Sequence, residues 1–208
     1  MVEFLQQFLE GIRQTGWIEW IAVVAGITSV YFSRAENILV FPVGLINTIF
    51  YVYLSLSGHL FGEASVNFYY TIMSIYGWYL WSRKDQRHES LLHIEFSSKR
   101  LLLFQVLFFT FCFLFLFLAL TFLKQNFYPG AIPWADALAS GAAFTGMWLM
   151  AKKKVESWIW WIITNIASMP LFYAKGFALT SVYYAILLFM AISGFIEWRR
   201  KARLRIAA

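Results

Sequence analysis

The chain has 208 residues, 61% hydrophobic, 21% aromatic and only 13% charged, with a mean hydropathy of +0.63. A soluble domain carries about 25% charged residues and covers its outside with them. This composition therefore excludes a soluble enzyme, a disordered chain and, despite a formal charge of +6, a nucleic-acid binder. The single cysteine, Cys112, excludes an intramolecular disulfide framework. The class that remains is an all-α polytopic membrane protein.

Residues 2–14 read as a short interfacial helix, because Phe4, Leu5, Phe8, Leu9 and Ile12 share one helical face. The stretch is not expected to be a signal peptide, since Glu3 and Glu10 stand where a basic region is required. A bilayer crossing needs about 17–25 mostly apolar residues. Seven segments meet this: 17–33, 37–57, 64–82, 101–123, 134–151, 157–174 and 178–198. The fourth is the plainest, holding Gln105, Thr110 and Thr121 but no charge. The runs are continuous and lack the alternation of a barrel, so helices are expected. The implied organisation is an interfacial helix (1–16), a first three-helix unit (17–82), a cytoplasmic linker with its linking span (83–133), a second three-helix unit (134–198) and a basic tail (199–208).

Charge orients these spans. Of the 17 lysines and arginines, only Arg13, Lys124 and Lys175 fall on the side of the N-terminus. The others crowd the opposite side, at Arg34, in 83–100, at 152–154 and at 199–205. The positive-inside rule then puts the N-terminus outside and the C-terminus in the cytoplasm. Trp17, Trp20, Trp78, Trp81, Trp134 and Trp198 fall at predicted helix ends and read as an interfacial belt. The basic runs read as topology signals that also touch anionic lipid.

The chain repeats with a period near 120. Ala22, Gly26, Arg34 and Glu36 align with Ala142, Gly146, Lys154 and Glu156. After a slip of about three residues, Gly58, Gly77 and Trp81 align with Gly176, Gly194 and Trp198. Three helices plus one linking helix place the second unit parallel to the first, an arrangement used by transporters whose site lies at the repeat interface.

Ionisable groups are nearly absent from the span centres, which speaks against a proton relay and for facilitated diffusion. Amides, hydroxyls and aromatics stand there instead. Trp158, Trp161 and Asn165 share one face of the sixth span, extended by Ser168. The third span carries a stripe of Asn67, Tyr70, Thr71, Ser74 and Trp78. The second offers Asn47 and Tyr51, and the seventh Thr180, Tyr183 and Tyr184. Asn47 and Ser74 suit interhelical hydrogen bonds as well as a ligand. Two indoles and an amide on one stripe describe a stacking platform with a hydrogen-bonding end, and indole faces attract cations. A flat, polar, ring-bearing and cationic small molecule is expected. Gly58, Gly62 and Gly176 are expected in short external turns, as outer hinges. The run from His88 to His93 is spaced i, i+5 and is not a zinc helix. No phosphate-cradling Gly-Lys loop occurs, and neither cofactor nor metal is expected.

Trp158-x-x-Trp161-x-x-x-Asn165 resembles the signature of the PnuC-type vitamin transporters, as do the run from Asn67 to Trp81 and the tail Gly194-x-x-x-Trp198 with its basic residues. The resemblance covers about residues 17–201. It implies a three-plus-one-plus-three bundle related to the SWEET sugar transporters. It also implies uptake of nicotinamide riboside by facilitated diffusion, coupled to a cytoplasmic kinase that traps the product. Relatives that carry thiamine or riboflavin leave those substrates as alternatives, and thiamine is also an aromatic cation. Trp158, Trp161 and Asn165 are the expected site residues, with Asn67, Tyr70, Ser74, Asn47 and Tyr184 placed by helical facing. A homo-oligomer is compatible with the aromatic exterior.

Overall fold

The apolar runs become eight helices in chain order: α1 Val2–Gln14, α2 Trp17–Arg34, α3 Val40–Ser57, α4 Phe61–Ser82, α5 Lys99–Asn126, α6 Pro133–Ala151, α7 Ser157–Ala174 and α8 Ala178–Ala207. The computed structural model describes residues 2–57, 61–85, 90–126 and 132–207. Among these there is no strand beyond two isolated bridges, Lys84 with Ser90 and Glu95 with Lys154. Gly58, Arg87, His88 and Glu89 lie outside the described residues. Gly62 falls in the first turn of α4, while Gly176 takes a φ of +85° just after α7, where a side chain would be strained.

By length and composition α3, α5 and α8 are each apolar enough to cross a membrane alone. α1 meets α2 at a bend of 109° and packs on α8. Its Phe4 ring reaches Tyr173 and Gly11 faces Leu179, leaving Leu5, Leu9 and Ile12 exposed. Prolines sit where the missing N–H costs nothing: Pro133 opens α6 and Pro42 lies in the first turn of α3. Pro170 is inside α7.

Helix contacts close a ring in the order α2–α3–α4–α6–α7–α8 and back to α2. Small residues on α6 make its place possible: Ala135, Ala137, Ala139, Gly141, Ala142, Ala143 and Gly146 are all buried, so backbones approach closely. α5 stands outside the ring, packing along α6 and touching α7 at Trp160 through Gln105 and Phe109, with most of its leucines and phenylalanines exposed.

The two halves of the ring make matching contacts at one constant spacing. Ser33 Oγ reaches Met150 Sδ at 2.9 Å and Glu36 pairs with Lys153 at 2.8 Å, both across 117 residues. Trp81 Nε1 donates to Ala151 O while Trp198 Nε1 donates to Arg34 O, at 3.2 Å each. The Phe41–Trp81 and Trp158–Trp198 ring pairs both meet at 88°. Asn47 donates to Ala22 O and Thr164 to Ala139 O. Helices α2 and α6 also end alike. The amides of Glu36 and Asn37 return to Ser33 O and Phe32 O, and those of Lys153 and Lys154 to Met150 O and Leu149 O.

These pairs correct the first part of the sequence alignment. Glu36 matches Lys153 rather than Glu156, and Gly26 matches Ala143 rather than Gly146. The turn geometry sets the correspondence, whereas residue identity suggested a slip. The belt reading also changes. Trp17 and Trp134 are exposed at 71% and 60%, but Trp81 and Trp198 are 5% and 0% exposed and form the centre of the core.

Glycines make that centre possible. A Cβ on Gly194 would stand 2.6 Å from three atoms of the Trp158 indole, and one on Gly77 would stand 2.4 Å from Phe41. Gly194→Ala is therefore expected to lower stability by roughly 1–3 kcal/mol, the range for overpacking. The check is a thermal melt of purified protein in detergent, compared with Ala substitution at Gly16, where a Cβ meets nothing within 4 Å.

Candidate functional site

All six ring helices contribute to one cavity of about 120 Å³. From α7 come Trp158, Trp161 and Asn165, from α4 Ser74, from α2 Ser29 and Ser33, and from α3 Val40 and Phe41. α6 supplies Met147, Met150 and Ala151, and α8 supplies Leu187 and Ala191. No lysine, arginine, histidine, aspartate or glutamate is among these lining residues.

The stripe expected on the sixth span is thus assembled as a wall. Trp158 is 1% exposed, wedged between the Trp198 ring and Gly194. Its Nε1 is buried with no acceptor among the described residues. A buried donor of this kind is disfavoured unless something bonds it. Trp161 packs against Gly146 on one side and lies 6.2 Å from the Tyr70 ring on another. Asn165 is buried, and no described residue closes a hydrogen bond on its amide. The wall therefore brings together two indoles and a buried amide beside a space, with an unsatisfied indole N–H in its packing.

Four of the eight residues expected at the site line the cavity: Trp158, Trp161, Asn165 and Ser74. The other four stand around it. Tyr70 buttresses Trp161 and reaches the Phe144 ring at 6.3 Å. Asn47 donates to Ala22 O at 2.7 Å, an interhelical bond between α3 and α2. Its amide and the Tyr183 hydroxyl converge on Gly26, whose absent side chain leaves them room. Tyr184 stacks on Phe172 at 5.1 Å. Asn67 lies on α4, where its carbonyl accepts from Thr71. Ser29 and Ser33 are the lining residues that sequence reasoning missed. On α2 they sit among alanine, valine and glycine with no amide or tryptophan beside them to mark a site, and only packing against the other helices brings them to the cavity.

The cavity is closed on the side of the α2–α3 and α6–α7 turns. Lys153, 4% exposed, pairs with Glu36 and lies 4.6 Å over the Trp81 ring, while Lys201 of α8 reaches the same carboxylate at 3.5 Å. Glu36 and Lys153 have φ of 60° and 51°, a costly conformation for residues with side chains. Nearby, Lys152 lies 4.6 Å over Trp148; burial first, then the Lys154 charge, hold its ammonium below the ordinary lysine range. The linker braces this turn. Glu156 accepts from the Ser97 amide and hydroxyl, Ser97 Oγ accepts from Gln105, and Gln105 accepts from Trp160 Nε1. Lys154 also pairs with Glu95.

Comparison with known proteins gives this geometry a setting. A family model described as "Nicotinamide mononucleotide transporter" matches residues 16–200. The chain belongs to this transporter family. The nicotinamide riboside transporter PnuC of Escherichia coli (strain K12) is 28% identical over 209 residues, covering 91% of this chain and 87% of that one. The riboflavin/roseoflavin transporter RibM of Streptomyces davaonensis is 22% identical, covering 90% and 86%. The crystal structure of the vitamin B3 transporter PnuC shares the fold, with a TM-score of 0.73 and 20% identity over 97% of this chain and 89% of that one. Membership of a family of transporters from bacteria, together with the apolar helices, makes the chain a multi-pass membrane protein and a transporter rather than an enzyme.

Because Lys153 is buried on its partner, Glu36→Gln is expected to lower stability by roughly 1–3 kcal/mol, between the ranges for exposed and buried pairs. Melting temperatures of wild type and variant, at low and at 0.5 M salt (about a 4 Å screening length), provide the measurement. The wild-type advantage should persist at high salt, as a screened surface pair would not.

Proposed function

We propose that the protein carries nicotinamide riboside across the bacterial inner membrane by facilitated diffusion, with phosphorylation by a cytoplasmic kinase trapping what enters. The carrying observation is a wall of two indoles and a buried amide facing a cavity that no charged residue lines among the described residues. The pyridinium ring of this nucleoside is flat and cationic, and an indole face holds such a ring by about 2 kcal/mol or more when water is excluded. The lining bears on the two ligands that the family and its members are named for. A mononucleotide brings a phosphate, and a phosphate beside no lysine or arginine would be desolvated without a counter-charge. A riboside brings only hydroxyls. The same lack of titratable lining residues leaves nothing there to take up a coupled proton.

In this reading the polypeptide crosses the membrane seven times. α2–α4 and α6–α8 are two parallel units of a SWEET-like bundle, and α5 is the helix that restores their common orientation. The N-terminus is outside and the basic C-terminal end of α8 is cytoplasmic. The Glu36–Lys153–Lys201 cluster is then the closed cytoplasmic end. Riboflavin is a second reading, favoured by the name of the relative RibM, and thiamine a third.

Uptake into proteoliposomes of purified protein distinguishes them, with nicotinamide riboside, riboflavin and thiamine as substrates and with kinase and ATP enclosed or omitted. Equilibration of the riboside without the trap and accumulation with it are expected. Concentration beyond equilibrium without a trap would sink passive transport, and uptake of none would sink the carrier reading. Trp161→Ala and Asn165→Ala are each expected to raise the dissociation constant at least tenfold, about 1.4 kcal/mol, while the protein still inserts and folds. Unchanged constants for both would remove them from the site.

A further inference from the structure

The constant spacing of 117 residues allows each wall residue to be compared with its counterpart in the other unit. Trp158, Trp161 and Asn165 correspond to Phe41, Gly44 and Thr48. The step from Trp161 to Gly44 is the largest. In the second unit an indole fills the space against Gly146; in the first, Gly44 leaves that space to Ser29, whose Oγ would stand 2.9 Å from a Cβ built there. Hydroxyls show the opposite bias. Ser29, Ser33 and Ser74 all line the cavity, and their counterparts are Gly146, Met150 and Ala191, none of which bears a hydroxyl. The cavity sits within a twofold frame but has two chemically different walls, one of rings and amide and one of hydroxyls.

The bonds these serines make leave room for a ligand. Ser29 Oγ donates to Val40 O at 2.9 Å and keeps its lone pairs. Ser33 Oγ donates only to the weak acceptor Met150 Sδ. Ser74 is 3% exposed, and no described residue closes a hydrogen bond on its hydroxyl. A vicinal diol matches this set, since it donates to two oxygens and accepts from a third. Trp158, which lines the same cavity, also carries a buried Nε1 that has no acceptor among the described residues.

We propose that Ser29, Ser33 and Ser74 form the sugar subsite. The ribose diol lies against the first three-helix unit while the ring lies on Trp161 of the second. This rests on the nicotinamide riboside reading and deepens it, because these serines select a substrate with a diol over an aromatic cation without one. The ligand is bound in one orientation across the axis, ring to α7 and sugar to α2 and α4.

The test is a comparison of nicotinamide riboside with its 2′,3′-dideoxy analogue, binding to the full-length protein in detergent by isothermal calorimetry. Wild type is expected to prefer the riboside by about tenfold or more, two lost hydrogen bonds at the usual strength. Ser74→Ala and Ser29→Ala are each expected to cut that preference at least threefold, through weaker binding of the riboside. Trp161→Ala is expected to weaken both ligands and keep the preference. Melting temperature and the retained binding of the dideoxy compound report that each serine variant is folded, and Ser74→Cys serves if Ser74→Ala is not. A preference near one in wild type, or one that survives all the serine variants, overturns the sugar subsite alone. Failure of wild type to bind either ligand overturns the nicotinamide riboside reading with it.

Discussion

The ring of helices depends on how two indoles meet at its centre. Trp81 and Trp198 lie 6.1 Å apart, each inserted edge-on to an aromatic ring of its own unit and each donating Nε1 to a carbonyl of the opposite unit. The hydrogen bonds go to the carbonyls that close α6 and α2, where helix ends leave acceptors unfilled. One pair of side chains thus satisfies the helix termini, fills the axis and ties the two units together. It works only because Gly77 and Gly194 allow Phe41 and Trp158 to lie flat on the opposing helices.

A symmetric frame constrains what the cavity above it can be. Had both units carried the same wall, a ligand with two unlike ends would find two equivalent poses and a compromise in each. Substitution at a few matched positions breaks the tie without disturbing the axis: Gly44 against Trp161, Ser29 against Gly146 and Ser74 against Ala191. The axis residues keep their pairing while the lining diverges. Those two layers lie on the same helices, one turn apart. Phe41 and Trp158 belong to both, and this explains why they are large aromatics in each unit while Gly44 and Trp161 are not alike.

How much of this could be read beforehand depended on whether a residue's role was local. Seven apolar runs and the stripe of Trp158, Trp161 and Asn165 are properties of single helices, and periodicity exposes them. The repeat was visible too, because Gly77, Trp81, Gly194 and Trp198 keep their spacing. Its register near Glu36 was not visible, since Glu36 and Lys153 are opposite in charge and share only a backbone turn. Trp81 and Trp198 looked like belt residues because a tryptophan at a helix end is the same pattern whether lipid or another helix lies beside it. Asn47 illustrates the converse. Its amide suits a ligand or a neighbouring helix equally in the sequence, and the bond it donates to Ala22 O is one that only the packing of α2 on α3 decides.

The strained turns complete the picture. Glu36 and Lys153 hold left-handed backbone at a cost of about 1–2 kcal/mol each, and nothing in the helices that precede them requires a side chain there, since glycine is the usual residue at this position. What the strain secures is their mutual contact across the axis. Left-handed backbone of this kind persists where surrounding contacts hold it, and here the Glu36–Lys153 pair does so. The second unit is braced from outside by the Glu156–Ser97–Gln105–Trp160 chain, so α5 to α7 hold together at this end. The side-chain contacts between α2 with its turn and the braced turn of α6–α7 are few. Between those two turns run one close ion pair, Glu36 with Lys153, and a hydroxyl–thioether contact from Ser33 to Met150, while α8 adds the Lys201 pair and the Trp198 Nε1 bonds to the end of α2. Ser33 also lines the cavity and belongs to the proposed sugar subsite.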